Sequence, residues 1–448
     1  MVLFRNTILV LLLTVAWQSA SAQDVQQMSL QECIDYALSN HSDVQNAVLD
    51  TEVSKAQVGE VTAQGLPQIN ASASFTYNYK VPVAFLPASF MDSTAAEGEV
   101  AGVPMGTKYN GDAGVSLNQL IFDGAFFLGL KAAKTVRELS QKSLIQTKIE
   151  RVSQVSKAYY TVLVTSERMQ LAKQNLQRID SLLHHTKAMY ENGFREAIDV
   201  SRVRVSYNNA KSALNQAEKF LVLNKQILNF QMGRDVNEAL VLTDKIEDIE
   251  LPEQIFQDEN FDYANRIEYS MLQTQQEVNR YSMKRYQVQY YPSLYLSASY
   301  STFTGVNDMS KFTDKWYGQG AIGLKLNIPL FDGLQKKYLI QQQKLAMHKT
   351  ENEQRHLQNA ILMEKRQARV SMENALEELD NQQQNMDLAQ EVYQVTKTKY
   401  EEGLGAILDV VDAETAYKEA ETNYYNALYD ALISKVDYEK AIGALYGE

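Results

Sequence analysis

Ala71-Ser72-Ala73-Ser74-Phe75-Thr76-Tyr77-Asn78-Tyr79-Lys80-Val81 alternates strictly: Ala71, Ala73, Phe75, Tyr77, Tyr79 and Val81 share one parity, and Ser72, Ser74, Thr76, Asn78 and Lys80 the other. Period-two patterning of this kind predicts a β-strand with one apolar and one polar face, long enough to cross a bilayer. A loop rich in Gly and Pro follows, over about 82–111, and then a second strand with Ala113, Val115, Leu117 and Ile121 on its apolar face. Far along the chain the pattern returns. Leu294, Leu296, Ala298 and Tyr300 alternate with small serines, and after a loop containing Trp316, Ile322, Leu324, Leu326, Ile328 and Leu330 alternate with Gly323, Lys325, Asn327 and Pro329. The four expected strands cover about 69–81, 112–122, 293–303 and 319–331.

Outward from the strands, each pair sits in the same context. Leu66-Pro67 and Tyr291-Pro292 end the helices that precede the pairs, and Phe122-Asp123-Gly124 and Phe331-Asp332-Gly333 close them. The first preceding helix opens at Leu30, behind a Ser29/Glu32 capping box, and is expected to run to Gln64. Two long stretches then read as helix, 125–190 with the single glycine Gly129, and 334–402; all seven prolines lie outside them. A helix of that length would reach roughly 100 Å at 1.5 Å per residue, more than any compact globular domain needs. Each long helix ends in a glycine turn, Tyr190-Glu191-Asn192-Gly193 and Tyr400-Glu401-Glu402-Gly403, 210 positions apart, followed by helices expected at 195–232 and 406–445. The chain is thus a duplicated architecture, with repeats over 23–232 and 261–448 joined by an irregular connector at 233–260 that carries nine acidic residues against Arg234 and Lys245.

Composition limits the partners and chemistry. Residues 1–22, with Arg5, an apolar run from Ile8 to Trp17 and Ala20-Ser21-Ala22, read as a secretory signal with the mature chain starting at Gln23. The formal charge is -12, and -13 once Arg5 is removed, a poor match to nucleic acid. Beyond the signal no run of about 18 apolar residues remains, so a transmembrane helix is not expected; short alternating barrel strands are not affected by that test. Cys33 has no intramolecular disulfide partner. His184 and His185 are adjacent and point about 100° apart on a helix, so no metal site is expected. No phosphate loop, cofactor fingerprint or nucleophile-base arrangement is visible, and no enzyme is expected.

Four strands with one apolar face cannot stand alone in hydrocarbon, because the edge strands would leave backbone groups unpaired. The expected solution is an oligomer that closes a barrel. Eight strands from a dimer would enclose a bore nearly filled by side chains, whereas twelve from a trimer leave one filled with water, and the small polar inner faces favour twelve. The alternatives are a soluble sandwich, in which one sheet face is a core, and a periplasmic coiled-coil scaffold without a pore. Neither uses both the strands and the long helices.

The duplicated order, the Leu66-Pro67-Gln68-Ile69 and Tyr291-Pro292-Ser293-Leu294 junctions and the two tip motifs resemble those of the TolC-like outer-membrane efflux proteins, over nearly the whole mature chain. The resemblance implies an α+β membrane protein: a homotrimer with a twelve-stranded outer-membrane barrel, four strands from each chain, and a long periplasmic α-helical barrel. It implies a passive exit duct for a tripartite efflux pump or type I secretion system, set in outer-membrane lipid and docked to a periplasmic adaptor (membrane fusion) protein and an inner-membrane pump. By position it implies that Tyr400 is the tip tyrosine, that Asp409 and Asp412 ring the narrow opening, and that Asp199 belongs to the first hairpin. Gly405 stands where that family carries an arginine tying the hairpins together, so the latch is expected to use Arg195, Arg202 or neither. Gly193, Gly403 and Gly405 are expected at the turns, as hinges and adaptor contacts or as simple helix-end glycines. Asp409 and Asp412, three apart, share one helix face; acids so placed either form a cation-attracting ring or complement the helix dipole toward solvent.

Overall fold

The computed structural model describes residues 26–91, 96–252 and 261–446; the expected signal segment lies outside them, as does part of the connector. In chain order the elements are β1 (Gln26–Met28), α1 (Leu30–Asn40), α2 (Ser42–Ala63), β2 (Gln68–Tyr77), β3 (Val83–Pro87), β4 (Val100–Pro104), β5 (Tyr109–Phe122), α3 (Gly124–Glu191), α4 (Ala197–Met232), β6 (Leu240–Leu242), α5 (Ile267–Val288), β7 (Ser293–Val306), β8 (Tyr317–Asn327), α6 (Gln335–Glu401) and α7 (Ile407–Ile442). They fall into two compact units that cut across the sequence repeat. One is Glu52–Leu139 with Thr274–Glu351; the other holds the chain up to Thr51, Ser140–Gln273 and the chain from Asn352 onward.

The first unit carries a four-stranded antiparallel sheet in the order β2-β5-β7-β8. The two copies meet where β5, the last strand of the first, pairs with β7, the first strand of the second. This is why the repeat boundary is not a unit boundary. Register puts like with like. One face carries the rows Asn70-Ser116-Ser299-Ala321 and Gln68-Asn118-Ser297-Gly323, and the other Ile69-Leu117-Ala298-Ile322 and Ala71-Val115-Tyr300-Gly320. Both edge strands, β2 and β8, are exposed throughout, and each has a partner on one side only. At the loop end of the apolar face Tyr77 stacks on Tyr109 at 5.1 Å, while Phe312 and Trp316 pack over Gly111, where a Cβ would come within 2.6 Å of the Phe312 ring.

Several boundaries differ from those expected. The first alternating run leaves the ladder after Tyr77, where the Asn78 amide and side chain donate to the Lys108 and Thr107 carbonyls; Val83–Pro87 instead pairs with Val100–Pro104 as a separate hairpin inside the expected loop. β8 stops at Asn327, before Pro329, rather than at 331, and β7 runs on to Val306 rather than 303. Helices α4 and α7 begin at Ala197 and Ile407, and α7 ends at Ile442 rather than 445, where Gly443 at φ 78° terminates it. Inside the connector, Leu240–Leu242 adds a parallel pair with Gln26–Met28, a run too short for its period to be read.

The expected single helix from Leu30 to Gln64 is two helices, broken at extended His41 (φ −68°, ψ 134°). The His41 carbonyl and Nδ1 accept from the amides of Gln45 and Asp43 and so start α2. The bend makes room for the end of α4, since a Cβ on Gly233 would sit 2.9 Å from the His41 Cα. The second copy repeats the device: Arg266 is extended ahead of α5, and a Cβ on Gly443 would lie 2.7 Å from the Asn265 carbonyl oxygen.

The second unit packs α1, α4 and parts of α3 and α7 around buried Tyr159, Leu228, Met232 and Leu432, with Met28 and Cys33 beneath. Burial pushes the Cys33 thiol up to about 12, so it stays protonated and inert. A separate cluster of Ile179, Leu182, Val203, Ala210, Tyr393, Tyr400, Ile407, Val410 and Ala413 forms around the two helix turns.

Candidate functional site: the paired helix turns

The two turns are built alike because the backbone demand is alike. After α3, the Gly193 amide donates to the Tyr190 carbonyl at 3.0 Å and the Phe194 amide to Met189 at 2.8 Å; after α6, Gly403 donates to Tyr400 at 3.0 Å and Leu404 to Lys399 at 2.9 Å. These are Schellman caps, with the glycine at φ 80° in both, and each glycine faces open space. The apolar residue after each glycine, which in such caps commonly folds back on the helix, is turned outward: Phe194 is 77% and Leu404 79% exposed.

Gly405 does not share this chemistry. Its φ is not left-handed, and what fixes it is space: a Cβ would lie 3.3 Å from the Tyr400 backbone nitrogen. It lies within the turn, but close packing rather than a left-handed backbone is what favours glycine there.

Tyr400 is fully buried between the hairpins. Its hydroxyl shares a 3.1 Å hydrogen bond with the buried Thr186 hydroxyl of α3, and the His185 ring meets its ring edge-on at 6.3 Å. The Arg195 guanidinium, from the other turn, lies 4.5 Å from the ring centroid, and its Nη2 donates to the Gly405 carbonyl at 3.2 Å. Of the two latch candidates, Arg195 thus makes contacts across the two turns. The ion pair of Arg202 stays within its own helix: its Nη1 is 4.0 Å from Asp199, and its side chain is 47% exposed.

The acids are not equivalent. Asp199 is half-buried, while Asp409 and Asp412 are exposed on the first turns of α7 and make no ion pair among the described residues. Ala406 and Glu196, the residues before α7 and α4, provide no side-chain cap, so Asp409 and Asp199 sit at uncapped helix N-termini where a negative charge is favourable.

One buried ionic cluster was not singled out from the sequence. Arg178 donates through Nε to Glu414 at 3.1 Å and through Nη2 to Glu421 at 3.2 Å, and Asn175 Nδ2 donates to Glu414 at 3.2 Å. Tyr417 lies under the guanidinium at 5.0 Å and stacks on Tyr393 at 6.0 Å. Burial, reinforced by Glu421, pushes the Tyr417 hydroxyl up to about 12, so this acid-lined pocket holds neutral phenols. The available signal was the spacing Glu414, Tyr417, Glu421, which continues the stripe from Ile407 and Val410.

The model of the family described as "Outer membrane efflux protein" matches residues 33–234 and 264–444. The outer membrane protein TolC of Vibrio cholerae is 22% identical over 387 residues, 85% of this chain and 82% of that protein. The probable efflux pump outer membrane protein TtgC of Pseudomonas putida is 21% identical, with 93% of this chain and 83% of that protein covered. Among solved structures, the outer membrane protein VceC of Vibrio cholerae superposes with a TM-score of 0.70 at 17% identity, covering 92% of this chain and 96% of that one.

Proposed function

The chain belongs to the outer membrane efflux protein family, both of its copies being matched by the family model, and from that premise we propose that it is the passive outer-membrane exit duct of a tripartite efflux pump or type I secretion system. The observation that carries this reading is the open four-stranded sheet, with serine and asparagine rows on one face, apolar rows on the other and two unpartnered edges. In hydrocarbon both edges must be paired, and β2 and β8 are the two that would join copy to copy. Three chains then give a twelve-stranded wall with the apolar rows toward lipid and the polar rows around water.

The paired helix turns are the periplasmic gate of this duct. Arg195 is its latch, clamping Tyr400 and Gly405 from the opposite hairpin and resisting their separation. Asp409 and Asp412, exposed and free of ion pairs among the described residues, place six carboxylates around the axis of a trimer and draw cations to the opening. Exposed Phe194 and Leu404, held outward by the Gly193 and Gly403 caps, offer apolar contacts to a periplasmic adaptor that in turn holds an inner-membrane pump. No catalytic step belongs to this reading.

Cysteine pairs placed along β2 and β8 test the assembly. Oxidation of the membrane-inserted protein is expected to yield dimers and a circular trimer on denaturing gels. Monomers under every pairing, with a monomeric mass in detergent, would rule out the duct in favour of a scaffold.

A further inference from the structure

The residues of the four sheet strands carry two formal charges, Asp112 on β5 and Lys325 on β8. Register puts both on the polar face, at opposite ends. Asp112 lies in the row Ser74-Asp112-Phe303-Tyr317, next to the loops, and Lys325 in the row Leu120-Tyr295-Lys325, next to the helices. Tyr295 and Phe303 are eight residues apart on β7, so the rows are separated by roughly 26 Å along the strand at about 3.3 Å per residue. Between them every residue on that face is Ser, Asn, Gln, Gly or Ala.

Neither charge has a structural task. Both side chains are exposed, and neither forms an ion pair or side-chain hydrogen bond among the described residues. The nearby acids at the helix end are otherwise engaged: Asp123 caps the Ala125 amide, and Asp332 binds the Leu334 and Lys336 amides. At the loop end, Lys315 stands outside the strand with its ammonium over the Tyr317 ring, 5.0 Å from the centroid. A lysine placed unpaired in a strand otherwise lined by small neutral groups contributes nothing to folding that a serine would not. It does set the potential of whatever passes.

We propose that the bore of the barrel is electrically polarised, with a ring of Lys325 at the helix end that attracts anionic groups and a ring of Asp112 at the outer end that attracts cationic ones. The proposal rests on the trimeric-duct reading, since only closure turns each residue into a ring of three. The rings are farther apart than the screening length of about 10 Å at 0.1 M salt, so they act separately rather than cancelling. Each also has aromatic neighbours in its row, Tyr295 beside Lys325 and Phe303 with Tyr317 beside Asp112. Cargo bearing an anionic group pauses at the inner ring, and cargo bearing a cationic group at the outer one.

The test is single-channel recording of the full-length trimer in planar bilayers at 0.1 M KCl, with a salt gradient for reversal potentials and inorganic triphosphate as the polyvalent anion probe. Lys325→Gln is expected to shift the reversal potential toward cation selectivity and to abolish block by triphosphate. Asp112→Asn is expected to shift it toward anions. In the wild type, currents at equal and opposite voltages differ, and in the double variant their ratio moves toward one, leaving only the part set by the Asp409 and Asp412 carboxylates at the gate; Lys325→Arg retains wild-type behaviour. At 1 M KCl, where screening acts within about 3 Å, the differences collapse. Conducting channels in which both single variants match the wild type at low salt would overturn the proposal alone. Inserted trimers that pass no current either as the wild type or with the latch removed by Arg195→Ala would overturn the duct and this proposal together.

Discussion

Removing the Arg195 side chain takes away two contacts that join the hairpins. The guanidinium over Tyr400, at 4.5 Å, belongs to the class of cation–π contacts that contribute about 0.5–2 kcal/mol, rising with burial. Its hydrogen bond to the Gly405 carbonyl, at 3.2 Å, has a charged donor, for which about 1.5–3 kcal/mol is usual; half-exposure of Arg195 brings that down to roughly 1 kcal/mol. The sum is about 1.5–3 kcal/mol, on the order of a ten- to hundredfold change in the equilibrium between joined and separated hairpins. Arg195→Ala is therefore expected to raise the fraction of time the channel spends open in single-channel records by that order. Arg195→Lys, which keeps a cation near the ring but loses the planar fork, falls between. Arg202→Ala is the internal control: its exposed pairing within α4 contributes less than about 0.5 kcal/mol, so the change stays near twofold. Equal behaviour of Arg195→Ala and Arg202→Ala would refute the latch.

Gly405→Ala presses a methyl against the Tyr400 backbone, which cannot yield without moving the hairpin; amide hydrogen exchange at residues 400–405 is expected to speed up by about tenfold, for a cost of about 1–2 kcal/mol. Arg178→Ala strips the counter-charge from Glu414 and Glu421, whose side chains are 7% and 5% exposed, and should destabilise by about 3–5 kcal/mol in urea unfolding. Adding Glu414→Gln and Glu421→Gln to that variant is expected to recover most of the loss. At the α5 start, burial raises the Glu268 carboxyl but the Arg266 hydrogen bond and charge outweigh it and hold it below the ordinary range. A depressed carboxylate stabilises fully above its unfolded value of about 4.3 and loses that contribution as pH falls through its folded value. The stability gap between wild type and Glu268→Gln should thus be present at pH 7 and shrink on acidification below about pH 4; a gap unchanged by pH would count against the pair.

What the sequence made legible were the features written as periodicity. Ser297, Ser299 and Ser301, alternating through the middle of β7, announce a polar face without reference to any neighbour, and an unbroken helix of 68 residues needs only the absence of proline and a capping glycine at its end. What stayed hidden depends on contacts between distant segments. His41 looks like an ordinary helical residue until Gly233, almost two hundred positions away, packs against it. Choosing between Arg195 and Arg202 required knowing that the Tyr400 ring faces one and not the other. Gly405 reads as a third turn glycine beside Gly403, yet only Gly403 has a left-handed backbone. Glu414 and Glu421 look like solvated helix acids because Arg178 lies on another helix, more than 230 positions earlier.

In the proposed duct, three copies of this chain enclose a water-filled bore through the outer membrane. Single-channel current through the purified full-length protein in a planar bilayer at 1 M KCl tests it most directly. Uniform stepwise conductance increments, one for each inserted trimer, are the predicted result. Protein shown to be inserted as trimers across the bilayer, yet passing no current at any voltage both as the wild type and as Arg195→Ala, would contradict it.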